Sequence, residues 1–358
     1  MKKGLLVGLW AMIFLVGCSI GNHHNQADDE KETVAPSKDV KVIANQLQIP
    51  WAIAKIGDTF YISERTGTIV KYSGEGKIRQ KVYLKKPLAQ AAEAGLLGFV
   101  LSPDFQKNGI AYAYYTYKDE SGQFNRIVTL HLSGNEWQEE SLLLDRIPSG
   151  AYHHGGRLAI GPDGMLYATA GDAAKNPEVA QDLHSLAGKI LRLNLDGSIP
   201  KNNPFPNSYV YSYGHRNPQG LTWAPDGTLY ASEHGQSARD EINRIQKGHN
   251  YGWPVIQGDE KSEGMETPLF HSGANDTWAP SGMAYYNDKL YVATLRGNAV
   301  RVFDLKSGTT EKVITGLGRI RDVFIEGNTL YFISNNTDGR GTPDEEDDKL
   351  YQVLLEEL

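Results

Sequence analysis

The sequence predicts an all-β fold, a six-bladed β-propeller, on three observations. From Ile49 onward the pattern is strand, turn, strand, with no long helical periodicity. One unit recurs six times: a short apolar strand, a turn carrying Gly, Asp or Asn, and a strand bearing a tyrosine. The six tyrosines, Tyr61, Tyr112, Tyr167, Tyr230, Tyr291 and Tyr331, are 40 to 63 residues apart, which leaves room for about four strands and a loop per unit, the size of one blade. A sandwich or two smaller β domains predicts no sixfold recurrence.

The elements follow in chain order. Met1-Lys2-Lys3 is a short positive start, Gly4 to Val16 is uncharged and mostly apolar, and Leu15-Val16-Gly17-Cys18 closes the run, the layout of a secretory signal. The run is short for a membrane span. Its last tetrad resembles the bacterial lipobox, in which the cysteine is lipidated and becomes residue one after cleavage. On this reading residues 1–17 are a lipoprotein signal peptide and Cys18 is the lipidation site. Residues 18–39, rich in Asn, His, Asp, Glu and Lys, are a flexible spacer whose His23-His24 is solvated. The propeller occupies residues 40–358. Localisation is then extracytoplasmic, on a bacterial membrane.

Within the propeller the units read AIAKIGDTFYISE, FVLSPDFQKNGIAYAYYT, LAIGPDGMLYATAG, LTWAPDGTLYASE, MAYYNDKLYVATL and VFIEGNTLYFIS. The Pro-Asp-Gly turns at 162–164 and 225–227 supply the backbone geometry of tight hairpins. Thr68–Tyr72, Lys189–Leu195 and Ala299–Asp304 fit outer strands. Closure is expected between Lys41–Gln46 and Leu350–Leu355, which removes a free sheet edge.

Composition narrows the function. A single cysteine excludes a disulfide scaffold and any cysteine-based zinc or iron–sulfur site. A net charge of −7 without a long Lys/Arg run argues against nucleic acid, whose binding rests on neutralised phosphates. Propellers serve as enzymes and as binding platforms alike, so the chemistry has to come from the loops.

Three segments depart from turn composition. In Tyr152-His153-His154-Gly155-Gly156-Arg157-Leu158, a histidine suited to proton exchange precedes two glycines that allow close backbone approach; a packed imidazole is the alternative. In Gly214-His215-Arg216-Asn217-Pro218-Gln219-Gly220, Arg216 and Asn217 either present donors to an anionic or quinone oxygen or brace neighbouring loops. Glu233 to Asn243, followed by Asn250-Tyr251-Gly252-Trp253-Pro254, clusters oxygen donors of the kind calcium accepts, or pairs its charges at the surface.

Taken together, EAGLLGFVLSPDF, HHGGRLAIGPDG, GKILRLNLDGSIPKNNPF, YSYGHRNPQGL, DEINRIQKGHNYGWP, WAPSGMAYY and RIRDV resemble the soluble pyrroloquinoline quinone (PQQ) dependent glucose dehydrogenase and aldose sugar dehydrogenase family, from about Pro50 to Val353. The resemblance implies a six-bladed propeller that oxidises the anomeric C1 hydroxyl of an aldose to the lactone, with hydride transfer to PQQ. It places the general base at His153 and the quinone-contacting pair at Arg216 and Asn217. Holders of the cofactor carboxylates fall on Arg296, Arg319 and Arg321, in keeping with the forked geometry in which arginine binds carboxylate. It puts one calcium on the carbonyls of Gly235 and Gln236, and a second at Glu241 and Tyr251.

This chain departs from the pattern twice. Glu93 stands where a glutamine is frequent, and a carboxylate beside an anionic cofactor calls for protonation or for pairing with arginine or calcium. Gln236 stands where a proline is common, which keeps the carbonyl and loosens the loop. The implied partners are an aldose, an electron acceptor the sequence does not identify, and a lipid membrane through Cys18. The competing functions are a calcium-dependent lactonase or esterase without PQQ and a non-catalytic binding propeller. Trp278 resembles a substrate-pocket wall or is an ordinary buried tryptophan, and the acidic run Asp344–Asp348 reads as a solvated loop.

Overall fold

The computed structural model describes residues 39–358; the expected signal peptide, Cys18 and nearly all of the expected spacer lie outside them. Alternation of apolar and polar residues in short runs, broken by Gly, Asn and Asp turns, produces strands almost throughout. The exceptions are a four-residue α-helix, Phe105–Asn108, and two short 3-10 turns, Pro177–Ala180 and Leu355–Glu357.

Among the described residues the strands form four sheets of four and one of eight. In the eight-stranded sheet, two meanders of four antiparallel strands, residues 50–83 and 96–148, meet through parallel pairing of Lys81–Tyr83 with Glu136–Gln138. Residues 158–213, 218–271 and 280–314 form three further meanders. In the remaining sheet Ile320–Glu326, Thr329–Ser334 and Leu350–Leu354 are completed by Lys41–Ala44 from the other end of the chain. That last strand pairs antiparallel with Leu350–Leu354, Lys41 opposite Gln352 and Ala44 opposite Leu350, which is the expected closure.

The first strand of each meander, beginning at Pro50, Leu96, Leu158, Pro218, Pro280 and Ile320, touches the first strand of the next, and the last touches the first. Glycine permits this approach. A side chain at Gly98 would run into the Gly156 carbonyl of the neighbouring meander. The six repeat tyrosines all lie on second strands. There they pack between meanders: the Tyr61 ring meets Phe105 and Trp137 edge-on at 5.5 and 5.8 Å, and Tyr167 meets Trp223 at 5.1 Å. Their spacing thus reports the repeat because each one fills the same seam.

Lys189 to Leu193, Thr68 to Ser73 and Ala299 to Asp304 are third strands, as the sequence indicates. The acidic run is less exposed at its end than the sequence suggests. Asp348 is fully buried at the end of the acidic run, accepting bonds from the Asn336 and Thr337 amides and the Thr337 hydroxyl. Trp278 is buried against Phe303, with its indole N–H on Asp276 at 3.0 Å.

Candidate active site

Antiparallel meanders bring the start of each first strand and the end of each second strand to the same end of the molecule, so two sets of loops meet there. The segments entering first strands carry Glu93, His153, Arg216, Asn217 and Arg319. Those leaving second strands carry Arg65, Asp172, His234, Gly235, Arg296, Asp338 and Arg340. Most of the candidate residues come from these two sets; Arg321 lies within a first strand, Glu241 opens a third strand and Tyr251 follows it.

His153 has a left-handed backbone, φ 61°, and is followed by Gly155, where a side chain would strike the Thr169 carbonyl at 2.6 Å. Its Nδ1 lies 2.7 Å from Asp172 Oδ1. Asp172 is 3% exposed and takes two further bonds, from the Ala174 amide at 2.8 Å and the Trp253 indole at 2.9 Å. Burial raises the Asp172 carboxyl, but the His153 contact and these donors outweigh it and hold it below the usual carboxylate range. An ionised carboxylate only accepts, so His153 Nδ1 carries a proton, and it is the neutral imidazole that presents a lone pair on Nε2.

Glu93 accepts the His153 amide at 3.1 Å with one oxygen and Arg340 Nη1 at 2.7 Å with the other. Burial alone would raise its carboxyl; the Arg340 pair and the His153 amide bring it down to about 2. The arginine needed beside this carboxylate is therefore Arg340. Because the folded value is depressed, the pair stabilises the fold above about pH 4.5 and the contribution is lost as pH falls toward about 2. In urea unfolding followed across that window, Glu93→Gln is expected to lose less stability than the parent, by at most about 3 kcal/mol and by less after solvent screening at half-exposed Arg340. Parallel slopes for the two proteins would show that Glu93 is not ionised this way.

Arg216 Nη1 donates to the Gly235 and His234 carbonyls at 2.5 and 3.2 Å, its backbone amide donates to Glu233, and its guanidinium lies 5.3 Å from the centre of the Trp253 ring. Asn217 is buried and takes the Gly155 amide at 3.1 Å, tying the histidine loop to the arginine loop. His215, one residue before the pair, is enclosed between Ser212 and Glu233 and stacked on Tyr251 at 4.8 Å.

A cavity at this end is lined by Arg65, Arg321, Arg340, Glu93, His154 and His234, among others. Arg321 is 5% exposed, bonded to Gln219, Asn335 and Ser281 and to no carboxylate. Burial, then neighbouring Arg319, pushes it down to about 9. Arg319 is paired with Asp338 at 2.8 Å. His154 and His234 are both held neutral, at about 4, by burial. The Nε2 atoms of both, with Arg216 Nε, Arg319 Nε and Asn335 Nδ2, are buried without a hydrogen-bond partner. Arg65, Arg321 and Arg340 around this cavity, with Arg321 lacking a carboxylate partner, suit a ligand bearing carboxylates. Arg296 is exposed and is not among the residues lining this cavity.

A second, small cavity is lined by Glu233, Gly235, Glu241, Tyr251 and Trp253 with Arg216. Glu233 and Glu241 face each other in register on adjacent strands. Burial first, and then the charge of Glu233, pushes Glu241 up to about 8. Asn243 Oδ1 is buried without a partner. These are oxygen acceptors, the set a hard cation accepts. The Tyr251 hydroxyl is engaged with the Arg244 carbonyl and Gln246 amide, and the Gln236 side chain is exposed. Among the described residues no three or more His, Cys, Asp or Glu side chains converge as a metal cluster, so backbone carbonyls would have to complete the shell.

The sequence reading did not single out Asp172, Arg65, Arg340 or Trp253. A signal for two of them exists in the repeat itself: Arg65 and His234 lie four residues after their repeat tyrosines, and Asp172 and Arg296 five. Arg340 sits beyond that offset and carries no such mark.

These features define a β-propeller with a histidine–carboxylate pair beside a cavity lined by three arginines, of which Arg321 is buried. The chain belongs to the Glucose / Sorbosone dehydrogenase family, whose profile matches residues 47–350. It is 37% identical over 270 residues to quinoprotein glucose dehydrogenase B of Acinetobacter calcoaceticus, covering 66% of this chain and 56% of that protein, little more than half its length. It is 32% identical over 329 residues to the aldose sugar dehydrogenase of Escherichia coli (strain K12), covering 79% of this chain and 86% of the relative. The PQQ-bound aldose sugar dehydrogenase from Streptomyces coelicolor superposes with a TM-score of 0.81 at 37% identity, over 89% of this chain and 99% of that one.

Proposed function

We propose that this protein is a PQQ-dependent aldose dehydrogenase, built as a six-bladed propeller, that oxidises the anomeric hydroxyl of an aldose to the lactone. The observation that carries the reading is the His153–Asp172 pair, 2.7 Å apart, at one end of a family propeller whose neighbouring cavity holds an unpaired buried arginine. Asp172 fixes the tautomer, and His153 Nε2 accepts the C1 hydroxyl proton. Arg216 donates toward the negative charge that develops at the reacting oxygen. Arg321 and Arg319 hold cofactor carboxylates, Asn217 orders the loops, and Arg340 neutralises Glu93 so that it does not repel the bound anion. When bound, PQQ supplies the two-electron acceptor for the hydride leaving C1.

Calcium belongs to the same proposal, at the Gly235 and Gln236 carbonyls and, for a second ion, at Glu241 and Tyr251. The facing carboxylates Glu233 and Glu241 support it, because a cation there removes their mutual repulsion. We also retain the lipid anchor at Cys18 and an extracytoplasmic location, with electrons passing to an external acceptor.

The test is dye-linked oxidation of glucose and a panel of aldoses by the mature protein, stripped and then given PQQ, calcium or both. Turnover that requires both additions is the expected result. Lactone hydrolysis without PQQ, or no dye reduction with either, would instead favour the lactonase or the binding platform.

A further inference from the structure

Trp253 touches both groups to which the proposed chemistry is assigned. Its indole N–H donates to Asp172 Oδ2 at 2.9 Å, on the carboxylate whose other oxygen orients His153. The Arg216 guanidinium lies over the same ring at 5.3 Å. The two contacts come from different meanders, His153 and Asp172 flanking the strands Leu158–Ile160 and Leu166–Ala170, and Arg216 leading into Pro218–Trp223. Trp253 is itself fixed at both ends of its backbone: its amide donates to the Gly214 carbonyl at 2.9 Å and its carbonyl accepts Gln181 Nε2 at 2.6 Å. The chain around Gln181 is in turn held by Lys189, whose buried ammonium bonds the carbonyls of Val179, Ala180 and Ala187 at 2.7 to 3.0 Å.

We propose that Trp253 is a positioning residue that sets the orientation and proton affinity of the His153–Asp172 pair and holds Arg216 alongside it. The inference rests on His153 as the proton acceptor. An indole N–H on a carboxylate draws negative charge away from the oxygen facing the imidazole. Without it Asp172 stabilises the imidazolium more strongly, and His153 stays protonated to higher pH. The other charged and titratable groups facing the pair are Glu93 at the His153 amide, Arg340 on Glu93, neighbouring His154, and Arg216. Trp253→Phe leaves each of these in place and keeps an aromatic face for Arg216.

The experiment is an NMR titration of labelled histidine side chains in metal-free and cofactor-free protein, with His153 assigned by its loss in His153→Gln. In Trp253→Phe the His153 midpoint is expected to rise by about 0.5–1 pH unit. In PQQ-loaded enzyme kcat is expected to fall about tenfold with KM nearly unchanged, the acid limb of the rate profile moving with the midpoint. An unchanged midpoint in folded Trp253→Phe overturns the proposal. Should that variant fail to fold, the parent protein decides: the Trp253 indole N–H resonance must shift with pH through the His153 midpoint, and a resonance that stays put overturns it. A shifted midpoint in a protein that shows no PQQ-dependent turnover leaves the Trp253 coupling standing and removes the dehydrogenase reading.

Discussion

His153→Ala is expected to lower kcat for aldose oxidation by about 10²- to 10⁴-fold, the range a well-placed general base contributes, while cofactor binding followed by absorbance is retained. The residual rate should then rise in proportion to hydroxide, because solvent has to take the proton that the proposed mechanism assigns to Nε2. Asp172→Asn provides the sharper comparison. Its side chain is the same size, but its amide can donate to Nδ1 and so favours the tautomer with the proton on Nε2, where it is of no use as a base. A fall approaching that of His153→Ala is expected, with the melting temperature close to that of the parent. If Asp172→Asn keeps most of its activity, the 2.7 Å contact between His153 and Asp172 is a structural brace and the base lies elsewhere.

How much of this was legible in the sequence follows from what each residue is responsible for. The repeat tyrosines were readable because six equivalent seams between meanders demand the same large side chain, and such demands recur at fixed intervals. His153 and Arg216 were readable through their glycine-rich and proline-flanked contexts, where backbone constraint marks a special position. Of the two glycines in this string, Gly155 is a steric requirement of the crossing with Thr169 and Gly156 of the close approach of Leu97. Arg157 in the same string has a structural role, buried in an ion pair with Asp322 at 3.0 Å and lying 4.2 Å from the centre of the Trp51 ring.

Partnerships across the ring were not legible. Glu93 and Arg340 are 247 positions apart and meet because the segments entering first strands and those leaving second strands converge at one end of the ring, so nothing local to either announces the pair. Asp172 is one of three aspartates that directly follow a Gly, and its distance to His153 distinguishes it. Arg296, chosen on wording alone, is exposed, whereas Arg65, which lines the cavity, stands in an unremarkable Ser-Glu-Arg-Thr-Gly stretch. Sequence motifs thus mark residues that the fold gathers at one end of the molecule, and their partnerships there become visible only in the closed ring.

The arginines divide in the same way, and the division gives the second large effect. Arg321→Met is expected to weaken PQQ binding by about 30- to 1000-fold, corresponding to roughly 2–4 kcal/mol for a charge-assisted contact to a buried carboxylate. Arg321 is the position where such a loss should be concentrated: it is buried, it has no carboxylate of its own, and burial with neighbouring Arg319 already disfavours its charge. In the stripped protein the substitution leaves the side-chain oxygens of Gln219 and Asn335 short of a donor, but it also removes an uncompensated buried cation. The two effects oppose each other, so stability should change by no more than about 1–2 kcal/mol. Arg319→Met takes the same charge from the site but strands Asp338, so a larger share of its effect should appear as lost stability. Arg296→Ala, at an exposed position, should change affinity less than about threefold. Titration of the three stripped variants with PQQ, alongside their urea unfolding curves, separates these outcomes. Arg321→Met binding PQQ as tightly as the parent would mean that the cavity cations do not hold the cofactor, and the carboxylate-recognition part of the proposal would fall.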